Sequence, residues 1–181
     1  MKRLFKRALV LIVSALLLSA CSANVKEEQK TTNEKVVTAL TSSPKKAKDR
    51  NNDIKFYMPF GFEIKEKSEN NIILKNGSKT YILFYNPQEG QESQVVYNAT
   101  LNANKYDYKK TYKQDGKFGY LLIRKLDDER QEVTVGIGGV KMTTETKTKS
   151  MKNDAEMMMQ IVNSVKVVKE DKDNVSAKDK K

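Results

Sequence analysis

Thirteen of the fourteen aromatic residues in this chain lie from Phe56 to Tyr120, and the remaining one, Phe5, sits among the basic residues of the N-terminus. Aromatic side chains supply large blocks of buried area, so a packed core has to be built from that stretch and its neighbours. The flanks 22–53 and 169–181 hold no aromatic residue and are dominated by polar and charged types. Residues 54–168 are therefore the expected domain, long enough to bury a core of their own. The flanks read as disordered: a spacer before the domain and a frayed, charged tail after it. Within the spacer, Glu34–Leu40 has an apolar face too small to hold a helix alone. A flexible coil of that length has a root-mean-square span on the order of 30 Å.

Inside the domain, turn residues divide apolar runs into strands. Ile54–Met58 leads into Pro59–Ile64, two extended pieces punctuated by Pro59, expected on an edge or bend, and Gly61. Asn71–Lys75 and Thr80–Tyr85 flank Asn76-Gly77, a strong short-range hairpin signal. Val95-Val96-Tyr97 reads either as a short strand or as the opening of a helix. Further strands are expected at Phe118–Ile123, Gln131–Ile137 and Val140–Thr146, with turns at Asp127–Glu129 and Gly138-Gly139. Met151, Ala155, Met158, Val162 and Val165 recur at spacings of 4, 3, 4 and 3, which makes one apolar helix face. Ser150 or Asn153 is its expected cap, the latter forming an approximate capping box with Glu156. The predicted fold class is α+β: an antiparallel sheet of about five to seven strands with a C-terminal helix packed on it.

The N-terminus is of a different kind. Four bases in Met1–Arg7 precede the uncharged run Ala8–Leu18, interrupted only by Ser14. A charged segment followed by an apolar run of this length matches a secretory signal peptide and falls short of a membrane span. The run ends in Leu18-Ser19-Ala20-Cys21, which resembles the lipobox of bacterial lipoproteins: an aliphatic residue, two small residues and the modified cysteine. That resemblance implies signal-peptidase recognition of Leu18, Ser19 and Ala20, cleavage before Cys21, a diacylglyceryl thioether on Cys21 and, usually, N-acylation of the same residue, palmitate being a typical chain. The expected organisation is a signal peptide (1–20), a lipidated cysteine and disordered tether (21–53), the α+β domain (54–168) and a disordered tail (169–181). The expected location is the extracytoplasmic face of the cell membrane.

Composition excludes several chemistries. The chain has no histidine and one cysteine. Ser-His-Asp and Cys-His catalysis, His-containing zinc sites and intramolecular disulfides are all ruled out. Removing the four N-terminal bases from the formal charge of +11 leaves +7 for the remaining chain. Its only arginines are Arg50, Arg124 and Arg130, and the excess is scattered lysine. Scattered lysine suits solubility or weak attraction to an anionic surface, and does not point to nucleic acid. No cofactor is expected.

Four local patterns invite a functional reading. Gly136-Ile137-Gly138-Gly139 lacks one glycine of the nucleotide fingerprint and is followed by an extended segment, so it reads as a tight turn or bulge. Met157-Met158-Met159 points in three directions on a helix, with only Met158 on the apolar stripe, which favours packing over a soft-metal site. Asp127-Asp128-Glu129 lacks the ligand spacing of a calcium loop and reads as a solvated hairpin turn. Tyr106, Tyr108 and Tyr112 are interleaved with lysines including Lys109 and Lys110. They form either a surface for a sugar or anionic polymer or a strand whose alternate tyrosines are half buried, the second being favoured.

The order of elements, from Phe56-Tyr57-Met58-Pro59-Phe60-Gly61-Phe62-Glu63 to the closing helix ending at Asn163-Ser164-Val165, resembles small exported α+β domains. These include the Mog1/PsbP-like group and uncharacterised domains in lipoproteins of low-GC Gram-positive bacteria. The expected function is a non-catalytic, membrane-anchored binding or envelope-support module, with an envelope protein or an anionic cell-wall polymer as partner. The alternative is an envelope enzyme or enzyme inhibitor with an unrecognised site. Substrate capture for a transporter is a third reading, disfavoured because such lipoproteins are larger and two-lobed.

Overall fold

The computed structural model describes residues 25–50 and 53–168. Helix α1 spans 25–41 and is followed by the short strands β1 (Asp49–Arg50) and β2 (Ile54–Phe56). A first meander consists of β3 (Phe62–Lys67), β4 (Asn71–Asn76) and β5 (Lys79–Tyr85). A connection over 86–107 carries α2 (Val95–Ala103). The second meander is β6 (Tyr108–Gln114), β7 (Lys117–Lys125), β8 (Arg130–Ile137) and β9 (Val140–Lys147). A single 3-10 turn, Thr148–Ser150, then opens α3 (Met151–Ser164), and β10 (Lys166–Val167) follows it.

The two meanders join through antiparallel β5 and β9 into one seven-stranded sheet, ordered β3-β4-β5-β9-β8-β7-β6. Because β5 and β6 are far apart in that order, the connection between them crosses one face of the sheet and lays α2 against it. The expected α+β class, strand number and packed C-terminal helix are all present. The opening strand β2 is the exception: it leaves the main sheet and centres a small one, β1-β2-β10. The β4–β5 hairpin forms with Asn76 paired to Lys79. Gly77, at φ +59°, is the first of its two loop residues, the position where a II′ turn requires glycine.

Strand alternation gives the sheet two different faces. Leu74, Leu83, Leu121, Ile123, Val135 and Met142 point into the main core, beneath α1 and α3. Phe118, Tyr120 and Leu122 point the other way, toward Tyr97 and Leu101 of α2. Helix α3 and its C-cap bury the expected stripe from Met151 to Val165, and the helix packs against β8, β9 and β2. Met159 is fully buried as well, so the methionine run contributes two core residues rather than one. Ser150 precedes the helix without a side-chain capping bond. Asn153 lies inside the first turn, so the expected Asn153–Glu156 box is not formed.

Over 25–41, helix α1 corrects the expectation of a disordered spacer. Thr32, Val36, Ala39 and Leu40 make its buried stripe, each at most 4% exposed. Its hydroxyls bond back along the helix, Thr32 to the Glu28 carbonyl (2.6 Å) and Thr38 to that of Glu34 (2.9 Å), so a buried threonine keeps a partner for its hydroxyl. The Asn163 amide of α3 reaches the carbonyls of Ala39 (3.1 Å) and Ser42 (3.1 Å), satisfying the helix C-terminus. Ion pairs Lys152–Glu28 (3.3 Å) and Lys35–Glu156 (3.1 Å) lie between α1 and α3. The order of these contacts shows that the two helices run side by side in the same direction. What stabilises α1 is tertiary packing, which a sequence window of 22–53 does not contain. The signal peptide, the lipobox residues Leu18, Ser19, Ala20 and Cys21, and the tail 169–181 lie outside the described residues.

Candidate functional site

Because α2 is short, it covers the β7 side of its sheet face and leaves the β5–β9 side open. Ile82 on β5 is 45% exposed and Val95 on α2 is 55% exposed. Between them runs a groove of about 500 Å³, with Phe84 and Ala99 in its walls and Glu132, Lys141 and Thr143 in its floor. A second open concavity, which shares Ile82, Glu132 and Thr143 with it, continues the surface toward Lys147.

The floor is polar because β8 and β9 alternate. Val140 and Met142 serve the main core, so Lys141 and Thr143 point toward α2. The Lys141 ammonium donates to Thr100 Oγ1 at 3.0 Å, and the Thr100 hydroxyl donates in turn to the Val96 carbonyl at 2.7 Å. The Phe84 ring centroid lies 5.5 Å from the same ammonium. Burial pushes the Lys141 pKa below the ordinary lysine value, and Glu132 opposes that shift. Among the described residues, Lys141 has no ion-pair partner, since Glu132 is paired with Arg124 at 2.6 Å. Arg124 also donates to Asn104 Oδ1 at 2.9 Å. Thr134 and Thr143 share a hydrogen bond of 2.8 Å. The Tyr106 phenol is raised above its usual range by burial first and the Glu132 carboxylate second. One cation with unused donors, apolar walls and several hydroxyls and amides therefore converge on one open cleft.

The candidate tyrosine–lysine surface is divided by the fold. Tyr108 and Tyr112, on the edge strand β6, pack against the main core, and the Tyr112 hydroxyl donates to Asn33 Oδ1 of α1 at 2.8 Å. Burial raises both of these phenols. Tyr106 instead packs with Phe118 and Tyr120 on the opposite face. Lys110 lies with its ammonium 5.8 Å from the Tyr108 ring centroid, and Lys109 is exposed. The three rings therefore do not form one surface: Tyr108 and Tyr112 share one face of the sheet, and Tyr106, on the other, is the one of the three that lines the groove.

The other patterns have structural roles. Gly138-Gly139 is the two-residue loop of the β8–β9 hairpin. At Gly136 a Cβ would stand 2.1 Å from the Tyr120 ring, so that glycine makes room for a buried aromatic side chain. Asp127 Oδ1 accepts from the backbone N–H of Glu129 (3.0 Å) and Arg130 (2.8 Å), and its Oδ2 from Arg130 Nε (2.7 Å), closing a turn. No cluster of acidic or cysteine side chains suited to a metal occurs among the described residues. Sequence reasoning missed Lys141, Glu132 and Thr100. The polar alternation of Lys141, Thr143 and Glu145 opposite the core positions of β9 was the available signal.

No protein-family model and no curated protein matches the chain. Among solved structures, the chain is similar to cyanobacterial PsbP (CyanoP) from Synechocystis sp. PCC 6803, at 9% identity and a TM-score of 0.44. That alignment covers 64% of this chain and 87% of the other. A protein from Bacteroides thetaiotaomicron VPI-5482 aligns at 10% identity and a TM-score of 0.32, over 65% of this chain and 46% of its own. The likeness to PsbP is a weak one of fold, and neither protein's role transfers to this chain.

Proposed function

We propose that the protein is a lipid-anchored, extracytoplasmic, non-catalytic module that binds its ligand or partner in the groove beside α2. The observation that carries the reading is the meeting of exposed Ile82 and Val95 with the Thr100-held ammonium of Lys141 in one open cleft. Apolar walls with a few convergent polar groups are the usual make-up of a binding site. An ammonium with no ion-pair partner among the described residues, the Glu132 carboxylate being paired with Arg124, favours an anionic partner, such as an envelope protein's acidic segment or an anionic cell-wall polymer. The lipobox Leu18-Ser19-Ala20-Cys21 supports the anchor, and two acyl chains on one cysteine give durable attachment.

Two measurements test this. Cys21→Ala should abolish labelling by a fatty-acid probe, and persistent labelling would refute the anchor. The lipidated protein, and its Val95→Asp and Lys141→Met variants, should be used to capture partners from envelope extracts. Enrichment by the parent that both variants lose is the expected result. Capture that is equal for all three removes the groove from the proposal, and turnover of a cell-wall or lipid substrate without any enriched partner replaces it with an envelope enzyme.

A further inference from the structure

Phe60 is the most exposed large apolar side chain among the described residues, at 105% of its reference area. Its exposure is built in by the backbone. The Phe62 N–H donates to the Pro59 carbonyl at 3.2 Å, closing a four-residue turn with Phe60 and Gly61 at its centre. Gly61, at φ +85°, occupies the position that demands glycine in a type II turn, and Pro59 opens the turn. The turn lifts the ring away from Phe56 and Phe62 on either side, which are 0% and 8% exposed. A fully solvated Phe on a turn held this way has no account within the folded domain.

Its position follows from a chain of contacts. Gly61 lies against Asn76 in the β4–β5 turn. Lys79, at the other end of that turn, donates to Asp154 in the first turn of α3 at 2.6 Å. Lys152, in the same turn of α3, pairs with Glu28 in the first described turn of α1. Phe60 and the N-terminal end of α1 therefore belong to one end of the domain. Cys21 precedes the first described residue of α1 by four positions, and four residues at full extension span no more than about 14 Å. A lipid on Cys21 holds that end within reach of the bilayer, in place of the wider spacing that a flexible tether suggests.

We infer that Phe60 inserts into the lipid interface as a second, non-covalent membrane contact, fixing the orientation of the domain on the bilayer to which Cys21 anchors it. This rests on the lipid-anchor reading. The occupant is the lipid interface and not a protein groove, because the chain preceding α1 leads to the membrane from this end. An aromatic ring is well suited to the headgroup boundary, where it buries its apolar body without crossing the membrane. Anchor and ring together define two points of attachment, so the β6–β7 hairpin faces away from the membrane. That hairpin lies at the far end because Lys117 bonds Asn163, near the C-terminus of α3, at 2.8 Å.

The chain contains no tryptophan, so Phe60→Trp introduces a single reporter at an exposed site where either ring fits. The lipidated full chain carrying Phe60→Trp, and a control carrying Gln114→Trp in the distal hairpin, are reconstituted into vesicles of phosphatidylglycerol and phosphatidylethanolamine. The expected result is blue-shifted emission for Phe60→Trp with quenching by brominated acyl chains, and water-like, unquenched emission for Gln114→Trp. Water-like emission from both, with Cys21 acylated and the protein vesicle-bound, overturns the insertion and leaves the anchor standing. Quenching of both in equal degree overturns the fixed orientation. Absence of acylation on Cys21 removes the anchor reading, and with it the placement of Phe60, and is read separately from the fatty-acid label.

Discussion

Leu40→Ala should destabilise the protein by about 2–5 kcal/mol, the range for truncating a leucine in a packed core. If residues 22–53 were a loose spacer, the same change would cost less than about 0.5 kcal/mol. Leu40 is 3% exposed and stands against Gly119 of β7 so closely that a Cβ there would lie 2.8 Å from Leu40 Cδ2. The Asn163 amide holds the carbonyls on either side of this contact, so α1 cannot slide inward to fill the void. That places the cost in the upper part of the range, because unrelaxed cavities are the expensive ones. Domains of this size lose roughly 3–4 °C of Tm per kcal/mol. Urea and thermal unfolding followed by far-UV circular dichroism would measure the loss, with exposed Lys45→Ala as the control. The contact also predicts coupling. Gly119→Ala overpacks against Leu40 and should be destabilising alone, yet better tolerated in the Leu40→Ala background, where the methyl enters the void. A Leu40→Ala variant as stable as the control, with additive Gly119→Ala, would show that α1 does not dock.

Two further outcomes follow from buried polar groups. Asp154 is 3% exposed and accepts from Tyr81 (2.9 Å), Lys79 (2.6 Å) and Thr146. Asp154→Ala leaves the buried Tyr81 hydroxyl without its acceptor, while Lys79 can turn to water, so a loss of about 2–4 kcal/mol is expected by urea unfolding; a loss under about 0.5 kcal/mol would contradict this. In alkaline solution, burial holds the Tyr81, Tyr112 and Tyr120 phenols above the usual range, with the Asp154 carboxylate adding to the effect at Tyr81. Folding then favours their neutral form, so their contribution is complete below about pH 10 and falls away as pH rises above it. Ultraviolet titration should find these three phenols still protonated where exposed ones have ionised, with the urea midpoint declining as pH rises. Ionisation of all tyrosines together in the native protein would count against the packing around these rings.

The hairpins were legible because their signals are local. Gly77 and Gly138-Gly139 lie between the strands they join, so the residues that permit the turn are also the ones that mark it. The stripe of α3 was legible for a similar reason, since Met151, Ala155, Met158 and Val162 repeat at the helical period within one window. Phe60 shows the limit of such patterns. It stands between Phe56 and Phe62 in an apolar run, and only the closed turn from Pro59 to Phe62 reveals that this one ring is outside.

Helix α1 and the groove were illegible for a different reason, which is the sequence distance of their partners. The α1 stripe includes Thr32, which a hydrophobicity pattern scores as solvated although its hydroxyl is satisfied within the helix. Asn163 bonds Ala39 across 124 positions, and Lys152 meets Glu28 across the same interval. Lys141 and Thr100 come together only because the 86–107 connection crosses the sheet. A polar residue with a distant partner is written with the same letter as one facing water. Its burial is set by topology, and topology here follows from one pairing, β5 with β9, that joins the two meanders and sends α2 over the open face.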